Sequence, residues 1–243
     1  MGQYKIFSLT LILLSFLGQD ALIAQEFVTG NKIVVQVRGL VSKNGPNYEY
    51  NYNLKSLRAS EQNIWNFKII LRFNPDSISQ KFRVQGWLPP RYPKNDALSW
   101  ISWSAPDNKE IFPGDSASGF GFLTRLLPGI TDFYAEGAHP IPSFEEGMAP
   151  DSIKGYDDLT PYGPGIIGKT IGPVQYPSPL EPESFIDTLL NCSTRAYSLN
   201  WISNSKIIEK YAAYLQNAKE RLQQNDNTAA FSILDSVLID VQA

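Results

Sequence analysis

Tyr48-Glu49-Tyr50-Asn51-Tyr52-Asn53-Leu54 places three tyrosines and a leucine on one side of an extended chain, with Glu49, Asn51 and Asn53 on the other. Successive side chains of a strand point to opposite faces, so this pattern predicts a strand with one dry and one wet face. The same reading spreads outward. Upstream, Ile33, Val35 and Val37 alternate with Val34, Gln36 and Arg38. Downstream, Trp65, Phe67, Ile69, Leu71 and Phe73 form a longer stripe, opposed mostly by Asn66, Lys68 and Arg72. Shorter stripes follow at Phe82 and Val84, at Trp100, Ile101 and Trp103, at Phe120 and Phe122, and at Phe133 and Ala135. Turn clusters separate them, among them Lys43-Asn44-Gly45-Pro46, Ala105-Pro106-Asp107-Asn108 and Pro113-Gly114-Asp115. Residues 25–172 therefore predict an antiparallel β-sandwich, which buries such stripes face to face. An immunoglobulin-like strand order is the expectation, without the cysteine pair and tryptophan that mark antibody domains.

Composition agrees. The 243 residues are 43% hydrophobic and 12% aromatic, with 17 Gly and 17 Pro, which suits a packed core and many turns. The net charge is −3, from 21 basic and 24 acidic residues, which argues against a nucleic-acid partner. A single His and a single Cys leave no His- or Cys-rich metal cluster and no intramolecular disulfide.

The first 24 residues read as a secretory signal peptide. Lys5 precedes an apolar run from Ile6 to Leu17, and Leu22-Ile23-Ala24 supplies aliphatic and small residues before a cut. The run is too short to cross a bilayer, which takes roughly 20 apolar residues. No cysteine lies near the cut to carry a lipid. Cleavage after Ala24 gives a mature chain that begins at Gln25, outside the cytoplasm and not membrane-spanning. The alternative is an uncleaved N-terminal anchor.

Beyond Ala138 the chain becomes rich in Pro and Gly, read as loops around one or two last strands, and residues 173–182 read as a linker. Residues 183–243 then read as a small three-helix bundle. Pro182 with Glu183 suits a helix start, and Phe185, Ile186, Leu189 and Leu190 recur at helical spacing. Ser203, Asn204 and Ser205 offer caps for a second helix, lined by Ile207, Ile208, Tyr211, Leu215, Ala218 and Leu222. Asp226 or Asn227 caps a third, with Ala230, Ile233, Leu234, Val237, Leu238 and Val241 inward. The last two helices are expected to form an antiparallel hairpin, with the first closing the bundle.

This segment resembles the FIMAH module found at the C-termini of exported bacterial proteins. The resemblance rests on Phe185-Ile186-Asp187-Thr188-Leu189, Leu199-Asn200-Trp201-Ile202, Tyr214-Leu215-Gln216-Asn217-Ala218-Lys219, Ala229-Ala230 and Val241-Gln242-Ala243, within about a quarter of the chain. It implies an exported, multi-module architecture and brings no activity and no functional residues. Family members continue into another short helix, so the resemblance also implies either a trimmed module or a sequence that goes on past Ala243.

Several motifs imitate chemistry. Gly163-Pro164-Gly165-Ile166-Ile167-Gly168-Lys169-Thr170 satisfies the phosphate-loop pattern, but Pro173 follows too soon for the helix that would hold phosphates. A glycine-rich turn entering a strand is the expectation. Val237-Leu238-Ile239-Asp240 imitates its companion motif on a helix. Gly114-Asp115-Ser116 and the later His139 have the ingredients of a nucleophile and its base, yet read better as turn and loop. Ser203 and Lys206 form an SxxK pair that helix capping by Ser203 explains. Glu145-Glu146 and Asp157-Asp158 are loop doublets whose neighbours point apart, so neither makes a glycosidase pair. Trp87, Tyr92, Trp100 and Trp103 could pack inside or stack on a sugar. Trp100 and Trp103 lie three apart and so face opposite ways in a strand.

No residue is assigned a catalytic, cofactor-binding or metal-binding role, and no nucleotide partner is expected. The sequence predicts an exported, non-catalytic binding or spacer protein whose partner is an unidentified protein or glycan. The alternatives are a carbohydrate-binding module using surface aromatics, a hydrolase using Ser116, His139 and a loop acid, and a helical tail that docks a partner helix.

Overall fold

Two four-stranded antiparallel sheets are built from the alternating segments. The strands are β1 (Val35–Asn44), β2 (Asn47–Ser56), β3 (Ile64–Leu71), β4 (Ile78–Phe82), β5 (Ser99–Ser104), β6 (Ser116–Thr124), β7 (Leu127–Gly137) and β8 (Ile166–Val174). Three helices follow, α1 (Pro182–Ser198), α2 (Ser205–Gln223) and α3 (Asn227–Gln242). This computed structural model describes residues 31–73, 77–82, 84–92, 99–138 and 165–242. The signal region, His139, both acidic doublets, and Gly163 with Pro164 lie outside the described residues.

One sheet has the order β1-β2-β6-β4 and the other β5-β3-β7-β8. With β5 set aside, the remaining strands in chain order run first-second-fifth-fourth in one sheet and third-sixth-seventh in the other. That is the strand order of an immunoglobulin constant-type sandwich, with β5 added on the outer edge of β3. The architecture is therefore a β-sandwich followed by a helical module.

No cysteine joins the sheets; aromatic rings do. Tyr50, Tyr52 and Leu54 all point inward, as their alternation requires. Phe67 on β3 lies at the centre, with ring centroids 5.9 Å from Tyr52, 5.7 Å from Trp103, 5.3 Å from Phe120 and 6.4 Å from Phe133. Tyr50 donates its hydroxyl to the Leu126 carbonyl at 2.8 Å, tying β2 to the short β6–β7 link. Trp103 on β5 donates its indole N–H to the Phe82 carbonyl of the opposite sheet at 3.0 Å.

Among the described residues three bulges interrupt the ladders. Gly119 is the extra residue on β6 beside Tyr52 and Asn53, and its φ of +94° is one that glycine adopts readily. Ser79 is the extra residue on β4. Trp65 is the extra residue on β3, and this corrects the sequence stripe. The bulge turns Trp65 to a half-buried position, and Ile64 takes the inward place, bridging to Ile111.

The last strand runs further than its composition suggests. β8 continues through Gly172, Pro173 and Val174, so the connection to α1 comprises 175–181 rather than 173–182. Its glycines leave room for side chains of β7. A Cβ on Gly168 would meet the Phe133 ring at 2.4 Å, and one on Gly172 would meet Thr131 at 2.3 Å. Pro173 is tolerated because β8 is an edge strand. On the other sheet's edge, β1 comes close to β8 at Gly39, where a Cβ would lie 2.9 Å from the Thr170 hydroxyl and 3.2 Å from the Ile171 carbonyl.

In the helical module, Asn204 caps α2 by accepting from the Lys206 N–H at 3.0 Å, and Asp226 accepts from the Ala229 N–H at 3.1 Å. The cap of α2 is thus Asn204 and not Ser203. Cross-helix pairs Asp187–Lys219 and Glu183–Gln223 set α1 antiparallel to α2, and Lys210–Asp240 sets α2 antiparallel to α3. Ile186, Leu215, Ala218 and Ala230 are buried between them.

Candidate binding site

α2 lies between its neighbours and packs on both, so α1 and α3 run side by side in the same direction without closing on each other. Between them is an open groove of about 490 Å³. Its near wall is Leu180, Pro182, Phe185 and Leu189, its floor Leu215 and Leu222, and its far wall runs from Ala230 to Leu238 on α3. Among the described residues every lining side chain is apolar. The far wall covers about 12 Å at 1.5 Å per helical residue, or roughly two turns. The volume falls within the ~300–1,000 Å³ typical of ligand sites.

The groove exists because α3 is apolar on more than one face. Ile233, Leu234 and Val237 are partly covered, whereas Phe231 is 64% exposed, Leu238 55% and Ile239 69%. Helical spacing predicts Leu238 inward; it stands on the rim instead, because α1 does not reach across to cover it. Each such side chain gains about 1.5–3 kcal/mol on full burial, so the uncovered face favours association. Two acidic residues neighbour the lining. Glu181 lies between lining residues Leu180 and Pro182. Asp235 lies one turn from Phe231 and from Leu238, is exposed, and has no ion-pair partner among the described residues. α3 carries Asp235 and Asp240 but no Lys or Arg. Asp240 faces α2, where Lys210 and Tyr211 hold its carboxyl below the usual carboxylate range by hydrogen bonding.

A second polar cluster covers the outer face of the β5-β3-β7-β8 sheet. The Lys68 ammonium lies 4.4 Å from the Tyr134 ring centroid and 5.2 Å from that of Trp100. Tyr134 is fully buried and donates its hydroxyl to Glu136 at 2.7 Å. Burial pulls the Lys68 pKa down, partly offset by the Glu136 carboxylate. Close by on the same face, Asp132 accepts from Arg72 at 3.1 Å and pairs with Lys169. Arg72 is largely exposed and Lys169 partly so, so these pairs add little stability each, and the cluster reads as a solvated sheet surface.

The residues singled out by sequence are dispersed. Trp87 and Trp103 are core. Trp100 and Tyr92 are half-buried, each beneath a lysine; Lys81 stands 3.6 Å from the Tyr92 centroid. The four do not form one exposed aromatic platform. Ile166 to Thr170 of the phosphate-loop look-alike lie on β8, and Thr170 is buried in the strand rather than opening a helix. Gly114 occupies a turn with φ +96°, and Ser116 opens β6. Cys192 is a free, half-buried thiol on α1. Among the described residues no group of three His, Cys, Asp or Glu side chains could hold a metal ion, and no helix is long and apolar enough to cross a membrane.

No family model matches the chain, and no curated protein matches it. Among solved structures it is similar to an uncharacterized protein from Nocardia farcinica described as having an immunoglobulin-like fold, at TM-score 0.31 and 16% identity, over 47% of this chain and 90% of that one. It is also similar to the chitin-binding domain of a chitinase from Pyrococcus furiosus, at TM-score 0.21 and 14% identity, over 46% of this chain and 89% of that one. Both likenesses are distant.

Proposed function

We propose that this chain is an exported, non-catalytic binding protein in which the sandwich is a rigid body and the helical module makes the contact. The observation that carries the reading is the groove between α1 and α3, whose described lining is apolar and which Phe231 and Leu238 rim. Grooves of this form accept a helix from another protein. Export is supported by Lys5 followed by the apolar run to Leu17, and the FIMAH resemblance agrees with it. N-terminal sequencing of the native protein is expected to begin at Gln25; a chain recovered from the cytosol with Met1 still attached overturns export. A photo-crosslinking residue at Leu238, introduced in the producing cell, is expected to give an adduct with a second protein, while the same residue at the exposed Lys55 gives none. No adduct at Leu238, with saturable quenching of tryptophan fluorescence by an oligosaccharide, would transfer the function to sugar binding.

A further inference from the structure

Building on the groove as the contact surface, we infer that its occupant is an amphipathic helix of another protein that carries Lys or Arg beside its apolar stripe, and that Asp235 is the residue that selects this charge. Three observations carry the inference. Among the described residues the lining has no polar side chain, and it offers about two turns of length, which suits apolar anchors at i, i+3 or i+4, and i+7. The acids Glu181 and Asp235 neighbour lining residues along the chain and along α3, and among the described residues no Lys or Arg lines the groove. α3 itself has two aspartates and no base, so it does not supply the complementary charge.

The same charges weigh against the other occupants. A second copy that docked α3 along α3 would bring its own Asp235 to an Asp235 rim, and like charges brought together oppose docking. A fatty acid or an anionic lipid surface would bring negative charge to the same rim. Helices that lie in membrane interfaces carry Lys and Arg on the polar face, whereas α3 carries aspartate. A basic partner helix satisfies the apolar groove and the acidic rim together, and the rim then fixes register and specificity more than affinity.

The test uses the full mature chain and two synthetic 18-residue helices with the same leucine stripe, one flanked by lysines and one by glutamates, read by fluorescence anisotropy. The lysine helix is expected to bind about tenfold more tightly at low salt, the scale for partly exposed charges changing from attraction to repulsion. Added salt should shrink that difference. Asp235→Lys, on an exposed position, is expected to reverse or abolish the preference with an unchanged circular dichroism spectrum. Leu238→Glu is expected to abolish binding of both helices. Equal binding of the two helices by the native chain would overturn the charge inference while leaving the groove as the contact surface. If neither helix binds although Leu238 crosslinks to a protein, the helical partner is wrong and the binding function stands. No crosslink at Leu238 removes the groove as the contact surface, and with it both the proposed function and this inference. Three further results would overturn the partner: a concentration-dependent dimer abolished by Leu238→Glu in sedimentation, binding to phosphatidylglycerol vesicles, or a Leu238 crosslink to a segment of the same chain.

Discussion

The sandwich and the helical module use the same kinds of side chain to opposite ends. Phe67 is wholly buried among four rings, whereas Phe231 is 64% exposed on the outer side of a helix. The difference is one of layers. Two sheets that pack face to face each lose one face to the other, so every inward residue is covered at once. Three helices in which α2 separates the other two leave a furrow between the outer pair, and the apolar surface facing it has no layer above. What is core in one body is contact surface in the other.

The largest effect should come from removing the ring at the centre of the closed body. Phe67→Ala is expected to cost about 3–5 kcal/mol in denaturant unfolding, while Phe231→Ser should leave stability within about 0.5 kcal/mol. Similar losses from the two would mean that the groove is already covered. A middle effect is expected where the sheets meet at their edge. Gly39→Ala should cost about 1–3 kcal/mol by overpacking, because its Cβ would press on the Thr170 hydroxyl. The double variant with Thr170→Ala should recover part of that cost, since the two sites are in contact; strict additivity would show that the strain lies elsewhere.

The smallest effect concerns the helices and acid. Because the Asp240 pKa is lowered in the folded chain by hydrogen bonds from Lys210 and Tyr211, the unfolded chain takes up that proton first as pH falls. The stabilisation is present above the usual carboxylate range and is lost as pH falls through the lower, folded value. Helical content followed by circular dichroism should therefore decline in strong acid, and Asp240→Asn should remove a small part of that decline. The pair is exposed, so the contribution is modest.

Much of the sandwich was legible because alternation is a direct image of the pleat; the inward set Tyr50, Tyr52 and Leu54 needs no other information. The bulge at Trp65 was not legible. An inserted residue changes register without changing composition, and only the partner strand shows that Ile64 and not Trp65 faces in. β8 was read partly as loop and linker because Gly168, Gly172 and Pro173 resemble turn signals, whereas in the sheet the glycines make room for Phe133 and Thr131. Asn204 outcompetes Ser203 because the chain enters the helix one residue later. The groove had one visible sign. Phe231 and Ile239 lie off the face formed by Ala230, Ile233, Leu234 and Val237, so α3 has more apolar surface than one neighbour can cover. That Leu238 joins them on the outside depends on how far α1 sits from α3, which no local pattern encodes.

The near-touch of Gly39 and Thr170 also makes the two margins of the sandwich unlike. Along β1–β8 the sheets leave no room for a Cβ, whereas β4 and β5 are joined through the Trp103 indole on the Phe82 carbonyl. Added bulk is therefore tolerated least at the first margin, and loss of a polar partner at the second, where an unpaired indole N–H would be buried.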